Sequence, residues 1–174
     1  MSLHDIEKAI QDIPDFPKPG IIFKDITPIL QDPRLLRESI ELMTAPWRQE
    51  KVELILGIES RGFIFGTAMA LELGIGFIPV RKEGKLPRSC SRADYELEYG
   101  SAVIEMHSDA VKPGQKVLIV DDLLATGGTA GAAVELASAA GADIAGVQCL
   151  IELAFLNPRA RLEQNKVISL ITVE

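Results

Sequence analysis

Cysteine is scarce in this chain: two residues of 174, Cys90 and Cys149, stand far apart and without metal-ligand spacing. A disulfide framework and a structural zinc site are therefore not expected, and a reducing, cytoplasmic setting is. Basic charge is in deficit, with 18 Lys and Arg against 25 Asp and Glu and a net charge of −7. A surface of that sign repels nucleic acid and anionic membranes, so neither is expected as a partner, and an anionic ligand would need a local basic patch. No apolar run is long enough to span a bilayer. The opening M-S-L-H-D-I-E-K-A-I-Q-D carries charges where a secretory leader needs an apolar run. Internal repeats and low-complexity tracts are missing too. What remains, 47% hydrophobic and 25% charged residues, suits a single domain over 1–174 with a sizeable core.

Along the chain, Leu3, Ile6, Ile10 and Ile13 fall at helical spacing. The Pro/Gly-rich I-P-D-F-P-K-P-G follows and leads into the extended I-I-F-K-D-I. Asp32-Pro33 reads as an N-cap and first helical residue, with Leu36, Ile40, Met43 and Trp47 as the inner stripe. Strands are expected at 53–58, 76–80, 116–121 and 144–153, with a last one at the end of the chain. The helix opening at S-R-G-F-I-F-G is apolar almost all round, which predicts burial on every side. A long charged loop is expected over 81–94, then a hairpin of Tyr95–Tyr99 with Ala102–His107. Continuous apolar strands separated by helices predict an α/β fold with a mostly parallel sheet flanked by helices.

The stretch V-L-I-V-D-D-L-L-A-T-G-G-T-A, 117–130, carries the chemistry. In an open α/β sheet, ligands bind beyond the carboxyl ends of the strands. Asp121 and Asp122 stand at such an end, facing solvent on this reading. Gly127 and Gly128 let backbone N–H groups approach an anion, and the following helix adds its partial positive charge. Thr126 and Thr129 add hydroxyl donors. The two acids cannot serve the same anion, but they suit ribose hydroxyls or a magnesium shell. Together these pieces describe a site for a 5-phosphorylated ribose. The loop has neither the G-K-[ST] ending of a triphosphate P-loop nor G-x-G-x-x-G.

The same stretch closely resembles the phosphoribosyl pyrophosphate signature of the type I phosphoribosyltransferases, and its Leu-Leu-Ala wording is most similar to the branch that uses adenine. D-F-P-K-P-G-I-I-F-K-D-I-T-P-I-L resembles the N-terminal base-binding hood of that branch, here 1–32. E-S-R-G-F-I-F-G resembles its pyrophosphate loop, followed by the similar V-R-K-E-G-K-L-P. Y-E-L-E-Y-G resembles the base of its flexible catalytic loop, here 82–95, although R-S-C-S-R-A-D within that loop departs from the pattern. The resemblance implies the type I fold with a small hood and transfer of phosphoribose from phosphoribosyl pyrophosphate to adenine, giving AMP and pyrophosphate. It also implies Mg2+ bound mainly through the substrate, with no metal held by the protein alone, and a homodimer.

By the same resemblance, Arg61, Asp121, Asp122 and Glu98 are the expected catalytic residues. Ile22, Phe23 and Lys24 would read the base, largely through the backbone. Glu59 and Ser60, in a turn expected to carry a non-proline cis peptide, would join Arg61 at the pyrophosphate. Arg81, Lys82 and Lys85 supply the basic patch that an acidic protein needs, and Tyr99 accompanies Glu98. Leu123, Ala125, Thr126, Gly127, Gly128 and Thr129 complete the sugar-phosphate site. Two other readings stay open: a related transferase for xanthine, hypoxanthine or guanine, and a non-catalytic regulator that binds phosphoribosyl pyrophosphate and DNA.

Overall fold

The computed structural model describes residues 3–96 and 101–174. Its backbone divides into two compact units, Met1–Leu42 and Met43–Glu174.

In the first unit, helix α1 (Leu3–Ala9) is shorter than its apolar spacing predicts. Ile13 lies instead in strand β1 (Gln11–Pro14), because Pro14 biases the residue before it away from helical angles. Strand β1 pairs antiparallel with β2 (Ile22–Asp25), placing Ile13 opposite Phe23 and Asp12 opposite Lys24. A helix that the sequence reading did not anticipate, α2 (Thr27–Gln31), follows directly. It is started by Asp25, whose carboxylate accepts the Thr27 N–H at 2.9 Å and the Thr27 hydroxyl at 2.8 Å. Helix α3 (Pro33–Thr44) begins as expected, with Asp32 Oδ1 accepting the N–H groups of Arg34 and Leu35 at 2.8 and 3.4 Å.

The second unit is built on a seven-stranded sheet. Its elements in chain order are β3 (Leu54–Ile58), α4 (Gly62–Leu73), β4 (Gly76–Lys82), β5 (Cys90–Glu96), β6 (Ser101–His107), β7 (Lys116–Leu124), α5 (Gly128–Ala139), β8 (Asp143–Leu153) and β9 (Val167–Val173). The strand order is β5-β6-β4-β3-β7-β8-β9. From β4 to β9 the pairs are parallel, while β6 runs antiparallel to β4 and β5 antiparallel to β6. The mostly parallel α/β architecture is the one that the apolar strand runs predict. Val117, Leu118, Ile119 and Val120 of β7 are all fully buried, as a central strand covered on both faces requires.

Four local expectations need correction. Trp47 is not on α3: the helix stops at Thr44, and Trp47 sits in a 3-10 turn (Ala45–Trp47) that contains Pro46. It is buried there, donating its indole N–H to Gln148 Oε1 at 2.8 Å. Helix α4 is not buried all round, since Ile64 is 39% and Leu71 80% exposed; a sheet covers only one face of a helix. Half of the expected loop 81–94 is strand: β4 runs to Lys82 and β5 begins at Cys90, so the pairing of β6 with Tyr95 and Glu96 extends back to Cys90, while residues 97–99 of the expected hairpin lie outside the described residues. The period-two signal is there, with exposed Arg92 and Asp94 alternating with buried Ala93, but charge obscures it. Finally, β7 continues to Leu124, so the acid pair lies within the strand, with Asp122 buried and Asp121 half-buried. Among the described residues no helix is long and apolar enough to cross a membrane.

Candidate active site

Strands β3 and β7 are parallel neighbours, and each is followed closely by a helix. The N-termini of α4 and α5 therefore open at the same carboxyl edge of the sheet. Neither start is satisfied by a side-chain cap, and the N-cap of α5 is Gly127, which has no side chain to offer. The first amides of a helix lack i−4 partners, so each start carries partial positive charge toward an anion, although at α4 the Phe63 and Ile64 N–H groups turn to the Ser60 and Arg61 carbonyls at 3.2 and 3.1 Å. Gly127 adopts φ +80°, and a Cβ there would lie 2.4 Å from the Pro158 carbonyl oxygen. Only glycine meets both conditions. Thr126 and Thr129 stand partly exposed on either side of the buried Gly127 and Gly128. Ala125 is in the same bend and Leu123 is the penultimate residue of β7.

The acid pair lies between these two starts. Pairing of β7 with β3 ends at Val120, while pairing with β8 continues to Leu124. The strand edge thus opens on the β3 side where Asp121 begins. Helix α4 comes close at that point: a Cβ on Gly62 would meet the Val120 carbonyl oxygen at 2.7 Å and Asp121 Oδ1 at 3.0 Å. Asp122 is only 4% exposed, and its Oδ2 forms an ion pair with Arg61 Nε at 2.7 Å. Asp121 Oδ1 accepts the Asp122 N–H at 2.8 Å. Burial pushes both carboxyls above the usual aspartate range. The charge of Asp122 drives Asp121 up further, and Arg61 opposes the rise in both. One arginine beside a buried and a half-buried acid leaves electrostatic room for a further donor or cation.

The Glu59–Ser60 peptide is cis, as the resemblance implies. Glu59 faces a partner already in place, since Arg81 donates to both of its oxygens, Nε to Oε2 at 3.2 Å and Nη2 to Oε1 at 3.1 Å. The Lys82 N–H adds a third bond to Oε2 at 3.0 Å. The Arg81 hydrogen bond is the main cause holding the Glu59 carboxyl below its ordinary value. Arg81 Nη1 also donates to the Lys85 carbonyl oxygen at 3.2 Å, which ties the turn after β4 to the strand. Glu59, Arg81, Lys82 and Lys85 are therefore brought together with Ser60 and Arg61, and Glu59 is held by Arg81 rather than presented on its own.

Ile22, Phe23 and Lys24 belong to the first unit. They are extended, as expected, in β2. The Lys24 ammonium is engaged by Asp12 Oδ1 at 2.7 Å, and the Phe23 ring packs edge-on against Phe16 at 5.2 Å between centroids. Glu98 and Tyr99 lie outside the described residues.

Two buried carboxylates escaped the sequence reading. Glu105, 2% exposed on β6, accepts the Gly84 N–H at 2.9 Å and pairs with Arg92 Nε at 2.9 Å. Arg92, in the segment that departs from the family pattern, also reaches Glu83 at 3.0 Å. Glu152, also 2% exposed, is the penultimate residue of β8 and is gripped by Arg159. A single acid inside an otherwise apolar strand was the available signal, because a buried charge must find a partner.

The phosphoribosyl transferase domain model matches residues 25–173. The adenine phosphoribosyltransferase of Thermobifida fusca is 49% identical over 168 residues, 97% of this chain and 96% of its own. The crystal structure of adenine phosphoribosyltransferase from Rhodothermus marinus superposes with a TM-score of 0.94 at 48% identity, covering 98% of each chain. That of the Saccharomyces cerevisiae enzyme, complexed with D-2,5-dideoxy-2,5-imino-altritol 1,6-bisphosphate and adenine, does so at 0.90 and 41% identity, covering 97% of each.

Proposed function

Because the chain belongs to the adenine phosphoribosyltransferases, we propose that the carboxyl edge of its parallel sheet binds phosphoribosyl pyrophosphate and presents it to adenine. The protein transfers the 5-phosphoribosyl group to adenine and releases pyrophosphate and AMP. The observation that carries the assignment of the site is the pair of uncapped helix starts flanking the acid pair. Two anion sites separated by hydroxyl acceptors match a sugar with phosphate at one end and diphosphate at the other. The yeast relative is bound to an imino-altritol 1,6-bisphosphate, which carries one phosphate at each end, together with adenine.

In this reading the amides of Gly128 and Thr129 and the hydroxyls of Thr126 and Thr129 hold the 5-phosphate, with Leu123, Ala125 and Gly127 shaping the loop. Asp121 and Asp122 accept the ribose hydroxyls. Arg61, with the Glu59–Ser60 turn, holds the diphosphate, supported by Arg81, Lys82 and Lys85. The bond from the anomeric carbon to the diphosphate breaks, and its electron pair leaves with pyrophosphate. The carboxylates of Asp121 and Asp122 favour the cationic character left on the sugar. The purine nitrogen attacks that carbon, and Glu98 receives its proton or holds the base for attack, with Tyr99 assigned to the same substrate. Two adjacent carboxylates sharing one arginine are a hard-oxygen set that fits Mg2+ held mainly through the substrate's own oxygens. When bound, the ion neutralises the departing diphosphate.

Base choice belongs to the backbone of Ile22, Phe23 and Lys24. An extended strand offers an N–H beside a C=O, the complement of the acceptor and donor on adenine. The lysine side chain is occupied by Asp12, which supports a backbone reading. Hypoxanthine reverses the pattern, and each buried mismatch is worth roughly 1–3 kcal/mol. A homodimer in the cytoplasm completes the reading, and the free thiols Cys90 and Cys149 suit such a compartment.

The test is pyrophosphate and AMP formation with each purine base in turn. Adenine is expected to exceed hypoxanthine by about 10²- to 10⁴-fold in kcat/KM. Comparable values for the two bases would overturn the base assignment. Turnover with none of the bases, alongside retarded DNA in a gel, would favour the regulator.

A further inference from the structure

The phosphate cradle rests on a turn that the chemistry does not use. The 3-10 turn Pro158–Arg161 presses the Pro158 carbonyl oxygen and the Arg161 Cβ against Gly127, where an added Cβ would meet them at 2.4 and 3.4 Å. Its hold on the sheet is polar. Arg159 Nε and Nη2 donate to Glu152 Oε1 and Oε2 at 2.7 and 2.8 Å, a two-pronged fork, and Nη1 donates to the Val167 carbonyl oxygen at 3.2 Å. Ser169 gives its hydroxyl proton to Glu152 Oε2, and the Cys149 thiol donates to the Ser169 oxygen at 3.3 Å. A cavity of about 260 Å³ opens beside the pair, lined by Glu152, Ala154, Asn157, Pro158, Arg159 and Thr172. Glu152 pairs in register with Leu124, the last residue of β7 before the cradle loop. The fork thus braces the loop at its base through the sheet and at Gly127 through the turn.

We propose that Glu152 and Arg159 are positioning residues for the sugar-phosphate end of phosphoribosyl pyrophosphate. This rests on the reading of the 124–129 loop as the phosphate cradle. The pair touches no reacting atom. It fixes the turn that fixes Gly127, and so sets the direction of the α5 amides.

A positioning role separates the two substrates. In Arg159→Met, KM for phosphoribosyl pyrophosphate is expected to rise by about tenfold or more, since small displacements of a binding group are costly. KM for adenine stays within roughly twofold, because the other binding groups are undisturbed. Arg159→Lys, which keeps the charge but not the fork, recovers part of the loss. Because Arg159→Met leaves a buried carboxylate unpaired, the double variant Glu152→Gln/Arg159→Met is measured beside it and should show the same split. Calorimetric binding of ribose 5-phosphate, with no base or turnover involved, should weaken in parallel. An unchanged phosphoribosyl pyrophosphate KM in both variants, equal rises for both substrates, or undiminished ribose 5-phosphate binding would overturn the proposal. Wild-type AMP formation, read in the same assay, reports on the catalytic reading separately.

Discussion

Two neighbouring strands carry acid near their carboxyl ends, and they treat it in opposite ways. Near the end of β8, Glu152 receives both prongs of Arg159 and the Ser169 hydroxyl, and the Arg159 hydrogen bond chiefly holds its carboxyl below the ordinary range. On β7, Asp121 and Asp122 share Arg61, and burial holds both above that range. The first arrangement is closed: every strong acceptor is answered from within the protein. The second is open, since like charges are kept together without enough protein partners. A fold gains nothing from that crowding, so the crowding is where a ligand enters the account.

The largest expected effect breaks the comparison from the open side. Asp122→Asn should lower kcat by about 10²-fold or more, the scale on which preorganised transition-state groups act, with the folded state retained. Turnover and unfolding measured on one preparation check it. Near wild-type turnover would remove Asp122 from the chemistry.

The closed side should respond in stability. Glu152→Gln removes the carboxylate that answers Arg159 and Ser169, and should cost roughly 2 kcal/mol of unfolding free energy. Denaturant unfolding near neutral pH measures it. A variant as stable as the wild type would mean that the pair is not closed in the sense argued.

The smallest effect is in pH dependence and sharpens the contrast, because the two acids have opposite signs. The Asp121 carboxyl is raised on folding, so its favourable contribution is present below the usual aspartate range and is lost as pH rises through the folded value. Asp121→Asn should therefore be at least as stable as the wild type at neutral pH, and its relative advantage should shrink as the solution is acidified. Glu152 is lowered, so its contribution is present above the usual glutamate range and is lost as pH falls through the folded value. The deficit of Glu152→Gln should then narrow in acid. Unfolding free energies across pH for the wild type and both variants give the two slopes, and slopes of the same sign would erase the distinction.

These acids were not equally legible in the sequence. Asp121 and Asp122 announce themselves because the acids, the glycines and the threonines are contiguous, and the buried strand before them fixes which end of the sheet they occupy. The Asp32-Pro33 start and the alternation of apolar strands with helices were readable for the same reason of locality. Glu152 and Arg159 were not. Seven positions part them, with a turn in the left-handed region at Asn157 between, and Ser169 lies on another strand. Glu105 needed the β5–β6 register, which pairs it with Arg92 across a hairpin whose first strand looked like a charged loop. Asp122's burial was hidden because it depends on pairing with β8 continuing after pairing with β3 has stopped. Side chains that answer one another across strands leave no periodic trace in either strand alone.

Gly62 ties the two helix starts together in a way that is mechanical rather than electrostatic. Its missing Cβ would have to occupy space 2.7 Å from a main-chain oxygen of β7, which cannot swing aside as a side chain can. Any larger residue there acts as a wedge under the first turn of α4, and Arg61, the residue just before, rides on that turn like the tip of a lever. The span between the two helix starts is thus gauged by one absent carbon atom.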